Sequence, residues 1–328
     1  MSKLFPRMSR SRALQGAAAG FVVFGLLLWW LLPGEGPPGG AITFSTGSRG
    51  GVYEAYGKDL SNEFAKDMPS LKVDLETSDG SQDNVTRVAT GQADFAIAAA
   101  DAVESFAIEH PIEAARLRGV ARLYDDYVQL IVPRDSDIAT LADLKHKRVA
   151  IGPKTSGVRL IAERVLRAEG MDPATDIKPL PYGIKDVAQL GHTFDAFFWS
   201  GGLPTNGLKA LAKTSSFKLV PIKADFVAKL HTQSAANRYY RPANIPESTY
   251  DGLDADAVPT IAVSNLLITR EDLDPRLTEW LTRTVIRSRD DIGGKVHSAQ
   301  LVDLRTAIYT SPLELHQGAQ RYYRSVKP

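Results

Sequence analysis

The stretch Ile42–Phe64, ITFSTGSRGGVYEAYGKDLSNEF, sets a short β-like apolar run, a glycine-rich turn and a helical pattern side by side. Val52, Tyr56, Leu60 and Phe64 recur every fourth residue, which places them on one face of a helix. Strand, turn and helix in this order make a βα unit, and the chain repeats that grammar. LKVDLETS (71–78) reads as a second strand, SQDNVTRVATG as a second helix closed by Gly91, and ADFAIAAAD as a third strand. After YVQLIVP the pattern restarts. A helical turn in TLADLKHK, the strand RVAIGP, the helix VRLIAERVLRAEG, a strand near IKPLPY, a helix near KDVAQLG and the strand FDAFFWSGG follow. Alternating strands and helices of this kind predict mainly parallel sheet covered by helices. The strand around TIAVSNLLITRE and helical stretches at Pro275–Ile286 and Ser311–Tyr323 are expected to return to the first lobe.

Composition sets the frame. The 328 residues are 44% hydrophobic and 23% charged, as in globular proteins. With 39 Lys and Arg against 38 Asp and Glu the net charge is +1, and no basic cluster follows the first dozen residues, so no nucleic-acid partner is expected. The absence of cysteine removes disulfides, thiolate metal sites and a catalytic thiol. Near the N-terminus Lys3, Arg7, Arg10 and Arg12 precede ALQGAAAGFVVFGLLLWWLL, about 20 residues that suffice for ~30 Å of hydrocarbon. Residues 13–32 therefore read as a transmembrane anchor in the lipid bilayer, with 1–12 cytoplasmic and the rest of the chain periplasmic or otherwise extracytoplasmic. A cleaved signal peptide is the rival reading; it would end in small residues, whereas this run ends Trp-Trp-Leu-Leu-Pro. PGEGPPGG, residues 33–40, reads as a linker.

The turn after the first strand invites a nucleotide, but its residues do not fit one. Five residues separate Gly51 from Gly57-Lys58 where a P-loop has four, and Asp59 stands where a metal-binding hydroxyl belongs. Gly47, Gly50 and Gly51 also miss the dinucleotide spacing. What the turn offers is close backbone approach and the free N–H groups of a helix start, which suit a small carboxylate. Two later turns offer the same: Ser81 with Asn84 three residues on, and Ser156 ahead of the helix that begins near Val158. Each alone reads as a helix cap; together, drawn from both halves of the chain, they point to one cleft between two lobes.

The segments STGSRGGVYEAYGKDL, ETSDGSQDNVTRVATGQADFAIAAADAV, LADLKHKRVAIGPKTSGVRLIAERVLRAEG, FDAFFWSGGLP and VPTIAVSNLLITREDL, in this order, resemble the solute-binding subunits of TRAP (tripartite ATP-independent periplasmic) transporters, specifically the TAXI family. The resemblance implies an α/β, two-lobed periplasmic-binding-protein fold, type II-like, that closes on a small solute, often an amino acid or organic acid. Lobe 1 is expected over 41–128 and 262–328, and lobe 2 over 129–261. The partners it implies are a small-molecule solute and the membrane subunits of a sodium-coupled TRAP permease, with no cofactor.

By the same resemblance the family's glycine-rich turn falls on Gly47, Ser48, Gly51, Val52 and Tyr53, and its Gly-Ser-x-x-Asn on Gly80, Ser81 and Asn84. Its acidic position after the third strand falls on Asp101, its Ser-Gly on Ser156 and Gly157, and its aromatic-Gly-Gly-x-Pro segment on Trp199, Gly201, Gly202 and Pro204. Val158 stands where the family often has Thr, and Glu54 where it often has a second Tyr. Asp101 reads as a hinge or helix-start hydrogen bonder that could instead receive an amino group, since a carboxylate repels an acidic solute. Arg159 could clamp a carboxylate, but Glu163 at i+4 offers it an ion pair. No catalytic residue or metal ligand is expected: the six histidines form no H-x-x-x-H pair and no G-x-S-x-G elbow occurs. The alternative to delivery is a membrane-anchored sensor domain acting through a separate signalling protein.

Overall fold

The computed structural model describes residues 36–253 and 256–327. Among them no helix is long and apolar enough to cross a membrane; the anchor expected at 13–32 lies outside them.

The first βα unit forms as its pattern requires. Strand β1 (Gly40–Ser45) leads through the glycine-rich turn into helix α1 (Val52–Asp67), whose buried residues include Val52, Tyr56, Leu60 and Phe64. Each such apolar side chain contributes roughly 1.5–3 kcal/mol on leaving water. β2 (Leu71–Glu76), α2 (Ser81–Thr90), β3 (Phe95–Ala99) and α3 (Ala100–Glu109) complete the first group. β1 pairs in parallel with both β2 and β3. The second group consists of β5 (Arg148–Ala150), α4 (Gly157–Ala168), β6 (Lys178–Leu180) and β7 (Ala196–Gly201), with β5 parallel to both other strands. The helix expected near KDVAQLG is a short 3-10 turn, Ile184–Gln189.

Two long strands join the groups. β4 (Leu117–Pro133) has 17 residues, about 55 Å of extended chain, and β10 (Val258–Arg270) runs antiparallel beside it. The sheet order is β2-β1-β3-β10-β4-β7-β5-β6, with β8 (Phe217–Val220) on β4 and β9 (Arg241–Ile245) on β10. One sheet thus passes through both groups, and β4 and β10 are its common spine. Its cores are separate. One holds α4 side chains with Phe197, Phe198 and Val263; two others lie around β1 and β3, one of them including Leu60, Leu267 and Leu281. The tail returns to this first lobe through α5 (Pro275–Arg287) and α6 (Gln317–Ser325), whose Leu281 and Tyr322 share the core of α1. The second of these starts later than the pattern around Ser311 predicts, because Pro312 sits in a turn and His316 supplies the cap, its Nδ1 accepting from Gly318 N–H at 3.1 Å.

Candidate functional site

Strands β1 and β3 of the first group and β5 and β7 of the second direct their carboxyl ends at one cleft, of about 640 Å3 counting the part open to solvent. This is where open α/β sheets leave room for ligands. From the first group the turn before α1 supplies Gly47, Ser48 and Gly51 to the wall, and the first residues of α1 supply Val52 and Tyr53. The start of α2 adds Ser81, and α3 adds Asp101. From the second group come Ser156, Gly157 and Val158 at the start of α4, and Trp199 and Gly201 at the end of β7. The structure thus brings thirteen of the sequence-designated residues to one cavity, Gly80 among them.

Gly202 and Pro204 do not line it, and neither does Asn84. Asn84 is fully buried beneath the cleft, where its Nδ2 donates to the carbonyls of Thr46 (2.6 Å) and Ile97 (2.7 Å) and its Oδ1 accepts from Ser45 Oγ (2.7 Å). An amide whose donors and acceptor are already engaged has little left for a solute. Asn84 therefore pins α2 to β1 and β3, and its designation as a ligand contact is corrected to a brace. Ser81, expected to cap α2, makes no cap bond; its Oγ instead accepts from Ala99 N–H at 3.1 Å. Ser156 does cap its helix, accepting from Arg159 N–H at 3.0 Å. Arg159 is held by Glu163 at 2.6 Å, as an i,i+4 pair. Trp199 spends its indole N–H on Thr205 Oγ1 (2.9 Å) and stacks on Phe197, so what it offers the cleft is ring surface.

The two lobes also touch across the cleft. Gln82 Nε2 donates to the Ser156 carbonyl (2.7 Å), Asp83 N–H to the Thr155 carbonyl (3.0 Å), and Thr155 Oγ1 to Asp79 Oδ2 (2.8 Å). Asp101, buried on α3, accepts from Arg164 Nη1 of α4 at 2.9 Å and from Tyr240 Oη at 2.6 Å. Its charge is therefore compensated by an arginine of the opposite lobe.

Asp126, on the spine strand β4, was not singled out by sequence. Only 4% exposed, it lines the cleft, and its Oδ1 has no hydrogen-bond partner. Its Oδ2 lies 3.3 Å from the Tyr53 hydroxyl, which also meets Ser81 Oγ (3.0 Å) and Asn265 Oδ1. Tyr53 has one proton for these acceptors. Asn265 Nδ2 is without a partner as well. Burial pushes the Asp126 carboxyl up to about 7, opposed by the Asn265 and Tyr53 side chains and reinforced by the charges of Asp125 and Asp101. Burial, helped by the Asp126 charge, raises Tyr53 so that it stays protonated. Asp126 pairs with Val263, and a register shift between β10 and β4 follows next to it, between Ser264 and Leu266. Such an irregularity re-aims side chains in a way that alternation along a strand does not reveal.

Residues 44–326 match the model of the NMT1-like family, and the chain belongs to that family. Among solved structures, it is similar to a protein from Bordetella bronchiseptica RB50 at 15% identity, covering 88% of this chain and 90% of that one with a TM-score of 0.51. That likeness concerns the fold. Two further matches are the periplasmic aliphatic sulphonate binding protein SsuA from Escherichia coli (15% identity, 89% and 84% covered, TM-score 0.48) and a putative L-cystine ABC transporter protein from Listeria monocytogenes (17%, 80% and 98%, 0.49).

Proposed function

We propose that the chain is an extracytoplasmic solute-binding protein of the TAXI type, which captures a small organic anion or amino acid in the interlobe cleft and delivers it to a sodium-coupled TRAP permease. The observation that carries this reading is the convergence of three helix starts, from both lobes, on one cleft spanned by two strands. Backbone N–H groups at helix starts attract a carboxylate, and strands that cross between lobes can bend to open and close over it. The family membership and the order of the motifs from Ser45 to Leu273 support it. The apolar run at 13–32, with four cations before it, supports anchoring to the membrane beside such a permease.

Thermal-shift screening of residues 36–328 against amino acids, monocarboxylates and dicarboxylates tests the binding step. A specific solute at 100 times its Kd adds about 2.7 kcal/mol of stability. A panel without any shift counts against the reading. Co-purification of the full chain with a TRAP permease, rather than with an ABC permease, tests the partner.

A further inference from the structure

Resting on the solute-binding reading, we propose that the cleft selects a solute carrying an ammonium group and that Asp126 is the residue that receives it. The charged side chains among the described residues lining the cleft are Asp79, Asp101 and Asp126; no lysine or arginine is there. A dicarboxylate would find no side-chain countercharge and two buried carboxylates. Asp101 is already neutralised by Arg164 and Tyr240, and Asp79 lies at the exposed rim beside Thr155. Asp126 is the one left over. No cation pairs with it, its Oδ1 makes no hydrogen bond, and apart from the neighbouring Asn265 side chain its Oδ2 has only a tyrosine proton shared with competing acceptors. A buried carboxylate in this state is stabilised by donors from outside the protein, and an ammonium group brings both the donors and the charge. The ring of Trp199, lining the same cleft, adds a surface that cations favour. With the ammonium on Asp126, a carboxylate of the same solute is left for the helix starts, so the solute class is a small amino acid and its deaminated analogue is excluded.

The test sets matched pairs against the protein: glutamate and glutarate, leucine and 4-methylpentanoate, phenylalanine and 3-phenylpropanoate. Binding is read by calorimetry at pH 8, and for the tightest binder again at pH 5.5. The expected result is that every binder carries the amine, and that removal of the amine weakens binding at least 10-fold. Asp126→Asn, with circular dichroism as folding control, is expected to weaken the amine-bearing member about 10- to 100-fold, the range for hydrogen bonds to charged groups. Affinity should also fall at pH 5.5, as Asp126 takes a proton in its setting of Tyr53, Tyr124, Asp101 and the Arg122- and Arg241-paired Asp125. A deaminated acid that binds as tightly as its partner overturns the inference and leaves the solute-binding reading intact. The same holds for binding that tightens as pH falls, the mark of a protonated Asp126 donating to an anion. Silence of all pairs overturns both. The parent comparison does not depend on the variant, so it stands even if Asp126→Asn fails to fold.

Discussion

Asn84 and Asp126 are both buried side chains near the turn that follows β1, yet one is fully hydrogen-bonded and the other is not. Replacing Asn84 by Ala takes a donor from the buried Thr46 and Ile97 carbonyls and the acceptor from the Ser45 hydroxyl, although Thr46 keeps Ser78 Oγ and Ser45 keeps Arg87 Nη1; roughly 1–3 kcal/mol is at stake for each buried group left unpaired. Urea unfolding should show a loss of several kcal/mol. Asp126 works in the opposite sense. Its carboxyl titrates near 4 in the unfolded chain and is pushed up to about 7 in the native one. Between those values the native state holds a proton that the unfolded state has released, so stability falls as pH rises through the window. Asp126→Asn lacks this dependence. Its stability relative to the parent, without solute, should grow by up to about 4 kcal/mol between pH 4 and pH 8, as measured by unfolding at both. Neither role was legible in sequence. Gly-Ser-x-x-Asn marks a turn but does not say which way the amide faces, and Asp125-Asp126 within YDDYVQLIVP reads as two polar positions on opposite faces of a strand.

The helix beginning at Gly157 was legible because capping is local: Ser156 and the residues it satisfies are neighbours in sequence. Helix α1 was legible for the same kind of reason, its i+4 stripe being a property of the helix alone. The single sheet was not, since pairing of β10 with β3 and β4 joins residues more than a hundred positions apart. The reason for glycine at 157 also lies in the other lobe. An added Cβ there would stand 2.9 Å from Ser81 Oγ and 3.1 Å from Ser81 Cβ, while its φ needs no glycine. Gly80, by contrast, has φ +127°, which only glycine adopts easily. Two variants separate local from interlobe effects. Ser156→Ala should cost about 1 kcal/mol in unfolding free energy through the lost cap. Gly157→Ala, with its helix intact, should leave stability nearly unchanged and weaken solute binding, because the clash arises only when α2 and α4 approach. Equal binding by parent and Gly157→Ala in calorimetry would show that the cleft does not close at this point.

Across the whole molecule, the closure that the proposed function requires depends on what holds the two groups of strands together besides β4 and β10. The rim contacts of Gln82 and Asp83 go to backbone carbonyls and that of Thr155 to the exposed Asp79 carboxylate, so each contributes little net free energy. The Asp101–Arg164 pair differs in being buried, with the aspartate side chain 3% and the arginine 11% exposed. A buried pair adds uncertain net stability, but removing one partner leaves an uncompensated charge at a cost of about 3–5 kcal/mol. Under the proposed function, in which the cleft opens and closes about β4 and β10, that cost has an outlet, because opening returns Asp101 to water. Arg164→Met should therefore shift the population toward an open form rather than simply unfold the chain, and solute affinity should drop by the fraction of closed form lost. Small-angle scattering of the variant should give a larger radius of gyration than the parent, reversed by saturating solute. Adding Asp101→Asn removes the stranded charge and should restore much of the parent's compactness and affinity. A single variant that scatters and binds like the parent would mean that the Asp101–Arg164 pair holds the lobes in neither state, and that the strands and the solute alone set the equilibrium.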